Sequence, residues 1–397
     1  MAIDSWDQLV PIAILIGAVV FFVGIVPLTF FVAPTYREPE ESEKKYQTVL
    51  SDGSVSKPKD LPCWYDVHLE DDSHLFEEKE EGIHRHSPFK IEPAEVFLSL
   101  VVPAFNEEKR LGEMLDEAVN YLQKELGIPA TASETNGVRK RKSDEPQQNG
   151  YVPIKLQPAE PKGWEILVVS DGSFDDTVNT ALRFAREKNI YEHPDSTNST
   201  ASIRVISLSE NRGKGAAVTH GMRHVRGKYI IFADADGATR FQDLGKLIEK
   251  CREVEDSQGR AVIVGSRSHL ADTAAVVKRS HFRNILMKGF HAFIKFLTPK
   301  RTSTVKDTQC GFKLFSRESL VYIIPFMISE GWIFDVEMLM HAEASNIPFA
   351  EVAVDWHEIP GSKLNALQAS FGMAFGLLGL RFGWLLGTFT VRQNNHR

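Results

Sequence analysis

The stretch Gly213–Gly237, GKGAAVTHGMRHVRGKYIIFADADG, decides how this chain folds. Two glycines open a helical pattern, the apolar run KYIIFA reads as a buried strand, and Asp234 and Asp236 follow one residue apart. Two chemistries fit that order. In one, a glycine turn approaches a pyrophosphate and an acid about 20 residues on holds a ribose. In the other, two carboxylates at a strand end share a face and hold a divalent cation through oxygen ligands.

The surrounding sequence weighs between them. VFLSLVVPAF (96–105), EILVVSDGS (165–173), IRVISLS (203–209), KYIIFADAD (228–236) and AVIVGSR (261–267) are short apolar runs. They alternate with helical patterns at 110–126, 176–186, from 215, and around 242–254. This alternation predicts an α/β fold on a mostly parallel, Rossmann-like sheet flanked by helices. Ligands of such sheets bind beyond the carboxyl ends of the strands. Those ends carry Asn106 and Glu107, then Asp171, then Lys214, then Asp234 and Asp236, then Arg267. Acids after three of five strands imply a polar ligand accompanied by a cation. The glycine turn follows the third strand rather than the first, and Val218 stands where the dinucleotide fingerprint needs Gly or Ala. Asp234 is therefore read with Asp236 as a metal-holding pair, with Lys214 a candidate phosphate contact.

The whole chain has 397 residues and a formal net charge of −7, which argues against a nucleic-acid binder with a basic footprint. Cys63, Cys251 and Cys310 are far apart, giving neither a disulfide framework nor a CxxC metal site and predicting a reducing compartment. No charged residue falls between Gln8 and Tyr36, and Leu9–Val32 is nearly all apolar, long enough to span a bilayer. Asp4 and Asp7 precede it while Arg37, Lys44 and Lys45 follow. Residues 8–34 thus read as an uncleaved single-pass anchor, with the remaining chain in the cytosol. Residues 35–95 read as a polar linker with some local order around LPCWYDV (61–67), 96–362 as the main domain, and 131–161 as a disordered insertion low in apolar content. In 363–397, the apolar run Leu364–Leu386 holds Arg381 as its only charge and predicts a membrane-associated helix. The basic, Phe-rich run KRSHFRNILMKGFHAFIKFL (278–297) contains His281 and His291 far from any Cys or carboxylate cluster, so metal binding there is not predicted.

Five motifs in order, VVPAFNEEKRL (101–111), VVSDGSFDDT (168–177), NRGKGAAVTHGM (211–222), YIIFADADG (229–237) and DTQCGFKLF (307–315), resemble the family 2 inverting glycosyltransferases of the GT-A fold. The resemblance spans roughly 98–360. With the N-terminal anchor, DTQCGFK and GWIFDVEML (331–339), it looks like the dolichyl-phosphate β-glucosyltransferases. That resemblance implies transfer of glucose from UDP-glucose to dolichyl phosphate with inversion. It implies the cytosolic face of the endoplasmic reticulum membrane, contact with membrane lipid, and a product that donates glucose to lipid-linked oligosaccharides in N-glycosylation. It places Pro103, Ala104, Asn106 and Glu107 along the nucleotide, Asp171 at the uracil, and Asp234 and Asp236 on Mg²⁺ or Mn²⁺ and the diphosphate. Ser170 replaces the first of two acids common in relatives, and Ala238 replaces a Gln that approaches the metal in dolichyl-phosphate mannosyltransferases.

Arg267, Arg279 and Arg283 add positive charge beyond the fifth strand, which suits a phosphate acceptor; Arg267 is a candidate donor contact, and Lys313 and Arg283 are candidate contacts of the acceptor phosphate. Asp307 and Asp335 are candidates for orienting the acceptor, and with Asp236 complete the catalytic set. Two alternatives stay open on sequence, a mannosyltransferase using GDP-mannose and a membrane-tethered nucleotide-sugar-binding protein without turnover. On the metal-pair reading, Asp236→Asn abolishes activity while circular dichroism shows an unchanged fold; unchanged activity rules the pair out as the metal site.

Overall fold

The computed structural model describes residues 37–66, 91–127, 151–192, 201–270, 297–359 and 366–385. The predicted anchor, Arg279, His281, Arg283, His291 and residues 131–150 of the predicted insertion lie outside the described residues.

The strands are β1 (Lys45–Gln47), β2 (Lys59–Asp60), β3 (Val96–Ala104), β4 (Trp164–Asp171), β5 (Ala201–Leu208), β6 (Gly227–Ala233), β7 (Val262–Ser266), β8 (Phe312–Ser316) and β9 (Phe349–Ala353). They form one sheet in the order β2-β1-β5-β4-β3-β6-β8-β7-β9. The helices are α1 (Leu111–Leu126), α2 (Thr177–Glu187), α3 (Lys214–Met222), α4 (Leu244–Val254), α5 (Phe334–Ala344) and α6 (Ala366–Leu385).

The expected mostly parallel sheet is corrected to a mixed one. Strands β5, β4, β3 and β6 are parallel. Beyond them β1 pairs antiparallel with β5, and β8 runs antiparallel between β6 and β7. The apolar runs were legible because central strands covered on both faces are nearly continuously hydrophobic. Direction is a property of pairing, and no run of residues records it.

Alternate residues of each strand feed two cores, as a period of two requires. In β4, Ile166 and Val168 pack with α1, α2 and α4. Leu167 and Val169 pack with α3 and α5 on the other face. Helix α1 buries Leu111, Met114, Leu115, Ala118, Val119 and Leu122, a stripe at three- and four-residue spacing that docks on the sheet. A third cluster joins Leu377 and Leu380 of α6 to Ile333, Val336 and Met340 around α5, while Phe375 stays exposed. Among the described residues no helix is long and apolar enough to cross a membrane.

Parts of two segments expected outside the folded domain, a linker ordered only around 61–67 and an insertion, belong to the domain. Residues 37–66, within the predicted linker, supply β1 and β2 and wrap across α3. His220 Nε2 contacts the Glu43 carbonyl at 2.9 Å, and the Trp64 indole donates to the Met222 carbonyl at 2.7 Å. Glu43 is fully buried and accepts from the Ser209 N–H (2.9 Å), the Glu40 N–H (2.9 Å) and Arg37 (2.7 Å). Burial opposes its charge, but these donors hold its pKa below the ordinary carboxylate range. Residues 151–161, the end of the predicted insertion, also pack: Ile154 is buried and its N–H donates to Glu125 at 2.9 Å. Both segments are polar in sequence because their order comes from partners far along the chain. Glu43→Ala strands these buried donors and costs about 3 kcal/mol of stability, read from the denaturant midpoint in detergent; a shift under about 0.5 kcal/mol shows that the strap is not anchored by this residue.

Candidate active site

Strand β6 ends at Ala233, so Asp234, Ala235 and Asp236 emerge at the carboxyl edge of the parallel strands. Because β8 is antiparallel, with Phe312 opposite Ala233, the loop entering β8 begins where β6 ends. The Asp234 N–H donates to the Gly311 carbonyl at 3.2 Å. The Asp234 carboxylate occupies the space where a Cβ on residue 311 would stand. Asp236 Oδ1 accepts the Ala238 N–H at 3.1 Å, closing a tight turn over Gly237, whose φ is +70°. Both side chains reach solvent, Asp234 at 37% and Asp236 at 28% exposure.

Each carboxylate has its own resident cation. Lys214 Nζ lies 2.5 Å from Asp234 Oδ1, with the Phe232, Trp332 and Phe334 rings within 5.9 Å of the ammonium. Burial works against the Lys214 charge, yet Asp234 and then Asp335 lift its pKa above the usual lysine value. Arg110, one residue before α1, forks onto Glu107 with contacts of 2.7 and 2.5 Å and brings Nη1 to 3.8 Å from Asp236. Burial also opposes the Arg110 charge, and Glu107, Asp236 and Asp234 raise its pKa nonetheless.

The glycine turn does not face an open ligand site. Gly213 has φ +107°, and the Ala216 N–H at the start of α3 is taken by the Glu330 carbonyl at 3.1 Å. Side chains at 213 or 215 would strike the backbone of residues 329–331. The turn is closed by the 329–331 backbone, unlike the open glycine turn of a dinucleotide site. Lys214, the candidate phosphate contact, holds Asp234 at 2.5 Å.

Asn106, at φ +55°, accepts the Phe174 N–H at 3.0 Å, and its own N–H donates to Ser173 Oγ at 3.1 Å. The Glu107 N–H donates to Thr177 Oγ1 at 2.8 Å. These bonds stitch the β3 and β4 ends into one rim, on which Phe105 and the 85% exposed Phe174 meet edge-to-face at 5.9 Å. Pro103 is half-buried, and Ala104 is buried in the core beneath the rim. Asp171 is corrected from an open base contact to a loop anchor: it is buried, and its two oxygens accept the Arg212 and Gly213 N–H groups, each at 2.8 Å. Burial pushes its carboxyl above the ordinary range despite these donors.

Arg267 and Asp307 form a forked pair, at 2.7 and 2.8 Å, with the Arg267 N–H adding 2.9 Å. Burial opposes the Asp307 charge, but Arg267 holds it below the usual carboxylate range. Arg267 also lies over the Trp356 ring at 5.5 Å. Lys313 is corrected from a cleft-surface phosphate contact to a buried internal cation. It has no exposed surface and donates to the Cys310 carbonyl (2.8 Å) and to Asp335. Asp335 is equally enclosed, at 1% exposure, and burial raises its pKa against the pull of Lys313 and Lys214. Asp335 is therefore beneath the floor of the cleft, in a chain of charges running Asp234, Lys214, Asp335, Lys313.

Sequence reading missed Arg110, Gly311 and Trp332. Arg110 had a legible signal, an acid three residues earlier at a helix entry. Gly311 and Trp332 lie inside quoted motifs, but their roles were not legible, since their partners belong to other elements. Gln309 donates to the Met373 sulfur, linking the loop before β8 to α6.

Among the described residues no group of three His, Cys, Asp or Glu gathers as a metal site. Two adjacent carboxylates in a glycine-made cradle fit a hard cation whose remaining ligands are phosphate oxygens and water.

Comparison with known proteins adds to this geometry. Residues 154–323 match the family model described as Glycosyl transferase family 2. The chain is 39% identical over 303 residues to a dolichyl-phosphate β-glucosyltransferase of Saccharomyces cerevisiae, spanning 74% of this chain and 77% of the yeast protein. It is 39% identical over 341 residues to one from Dictyostelium discoideum, spanning 83% and 91% respectively. A looser likeness, TM-score 0.44 at 16% identity over 72% of this chain and 80% of the other, is to glucosyl-3-phosphoglycerate synthase from Mycobacterium tuberculosis, solved with uridine diphosphate.

Gly311→Ala pushes a methyl into the Asp234 carboxylate. Turnover falls about 100-fold for a displacement near 1 Å, while the thermal midpoint moves by only a few degrees. Wild-type turnover in a folded variant overturns the cradle.

Proposed function

The chain belongs to the dolichyl-phosphate β-glucosyltransferase family, and from that premise we propose that the cleft above β6 takes UDP-glucose as the donor. The family's activity is this chain's activity: transfer of glucose to dolichyl phosphate. The observation that carries the placement is the meeting of Asp234 and Asp236 with Lys214 and Arg110 at the junction of the β3, β5, β6 and β8 loops.

Asp234 and Asp236 would hold Mg²⁺ or Mn²⁺, which supplies Lewis-acid neutralisation of the departing diphosphate. Lys214, fixed among three rings, holds the Asp234 carboxylate through its 2.5 Å contact. The rim of Asn106, Glu107 and the Phe105–Phe174 pair borders the nucleotide. An acceptor phosphate monoester has its second pKa near 6, so at neutral pH it is mostly a dianion and needs no strong base. Its oxygen attacks the anomeric carbon as the bond from that carbon to the UDP oxygen breaks, and UDP leaves with the electron pair. In-line attack turns an α-glucosyl donor into a β-linked product. Asp307, kept ionised by Arg267, orients groups on the acceptor side and takes up no proton. Arg283 belongs to the same acceptor reading, from outside the described residues.

Localisation follows from sequence and chemistry together. Residues 8–34 anchor the chain in the endoplasmic reticulum membrane, and the domain faces the cytosol, where the nucleotide sugar is met. The segment from 363 rests on the bilayer: α6 is apolar nearly all round, and among its described residues Leu377 and Leu380 pack beside α5 while Phe375 is exposed. The lipid acceptor then reaches the cleft from the membrane plane.

The test is full-length protein in detergent with dolichyl phosphate, Mg²⁺ or Mn²⁺, and labelled UDP-glucose or GDP-mannose. Lipid-linked glucose from UDP-glucose is expected. Product from GDP-mannose alone overturns the donor, and no product from either overturns the enzymatic reading.

A further inference from the structure

We propose that Arg110 makes divalent-cation binding conditional on the nucleotide, by holding the Asp236 charge until a diphosphate arrives. The inference rests on the placement of the nucleotide diphosphate at Asp234 and Asp236. The two carboxylates of this pair face two cations, Lys214 at 2.5 Å from Asp234 and Arg110 at 3.8 Å from Asp236. The pair is already neutralised locally. A divalent cation entering alone meets two positive charges at close range and gains little. A nucleoside diphosphate brings negative charge, which reverses that balance.

The two cations are not equivalent. Lys214 is enclosed by Phe232, Trp332 and Phe334, with 11% of its side chain exposed, and cannot leave without breaking that packing. Arg110 is more open, at 21%, and sits at the turn before α1. Its fork onto Glu107 uses Nε and Nη2, leaving Nη1 directed to Asp236. Arg110 is therefore the cation that yields. It stays tethered by Glu107 while its remaining N–H groups turn from Asp236 to phosphate oxygens, a planar recognition that suits guanidinium. Arg110 is in this sense a positioning and selectivity residue: it disfavours metal in the empty cleft and favours metal together with nucleotide.

The readout is Mn²⁺ binding to full-length protein in detergent, followed by the electron paramagnetic resonance of free Mn²⁺, with and without UDP. No acceptor or turnover is involved. Wild type binds Mn²⁺ weakly alone and tightly with UDP. Arg110→Gln binds Mn²⁺ about tenfold tighter without UDP, and the enhancement by UDP shrinks by a similar factor. Arg110→Lys keeps the charge and stays close to wild type without UDP, which separates charge from packing and serves if the Gln variant does not fold. A folded Gln variant with wild-type Mn²⁺ affinity, or a Lys variant that binds Mn²⁺ as tightly as predicted for Gln, overturns the proposal and leaves the metal site standing. Absence of Mn²⁺ binding to wild type even with UDP overturns the metal reading, and this inference with it.

Discussion

The Asp234 carboxylate, wedged beside Gly311 and drawn to Lys214, is the point on which the rest of the cleft depends. Three separate parts of the chain meet there. Strand β6 delivers the acid, the turn after β5 delivers the lysine, and antiparallel β8 delivers the glycine. If β8 ran parallel to β6, its first residues would lie at the opposite edge of the sheet, far from Asp234. The reversal of one strand thus converts a plain strand-end acid into a held one.

Beneath that point the floor is charged rather than apolar. Lys214, Asp335 and Lys313 are enclosed, and the Lys313–Asp335 pair has almost no contact with solvent. Buried ion pairs are weak contributors to net stability, because desolvation offsets much of the attraction. Their effect here is geometric. With Lys313 committed to Asp335 and the Cys310 carbonyl, the loop before β8 has one position, and Lys214 has one direction in which its charge is answered. Asp171 does similar work at the end of β4, spending both oxygens on the backbone of the β5–α3 turn. Arg212 on that turn reaches both the Arg37 carbonyl and Glu330, so the segment that follows the apolar N-terminus is tied to the loop carrying Lys214.

The parts of this arrangement that sequence makes visible share a physical basis. The apolar runs of β3 to β7 and the stripe of α1 were legible because burial imposes a local period on residues close in the chain. Asp234 and Asp236 were legible because two acids closing an apolar strand have no reason to be there as core. The 37–66 strap was not legible: its strands are two and three residues long, and its anchor Glu43 is a charged residue buried by partners such as Ser209. Residues 151–161 were hidden in the same way, since their few apolar residues are scattered among prolines and polar residues, and their place depends on Glu125, which takes the Ile154 N–H, and on Gly245, which admits the Val152 carbonyl.

Lys313 and Asp335 show the limit most clearly. Each is a chemically able residue in a motif that resembles an enzyme family, and sequence reading placed both among groups acting on the acceptor. The fold encloses them together instead, because β8 and α5 pack their facing sides against one another beneath the cleft. Sequence by itself determined the class of fold, the run of strand ends and the acidic pair, since these follow from local periodicity and from the cost of burying charge. Only the tertiary structure decided the sheet's directions, the partner of each charge and which charged groups reach the cleft, because those depend on contacts between residues distant along the chain.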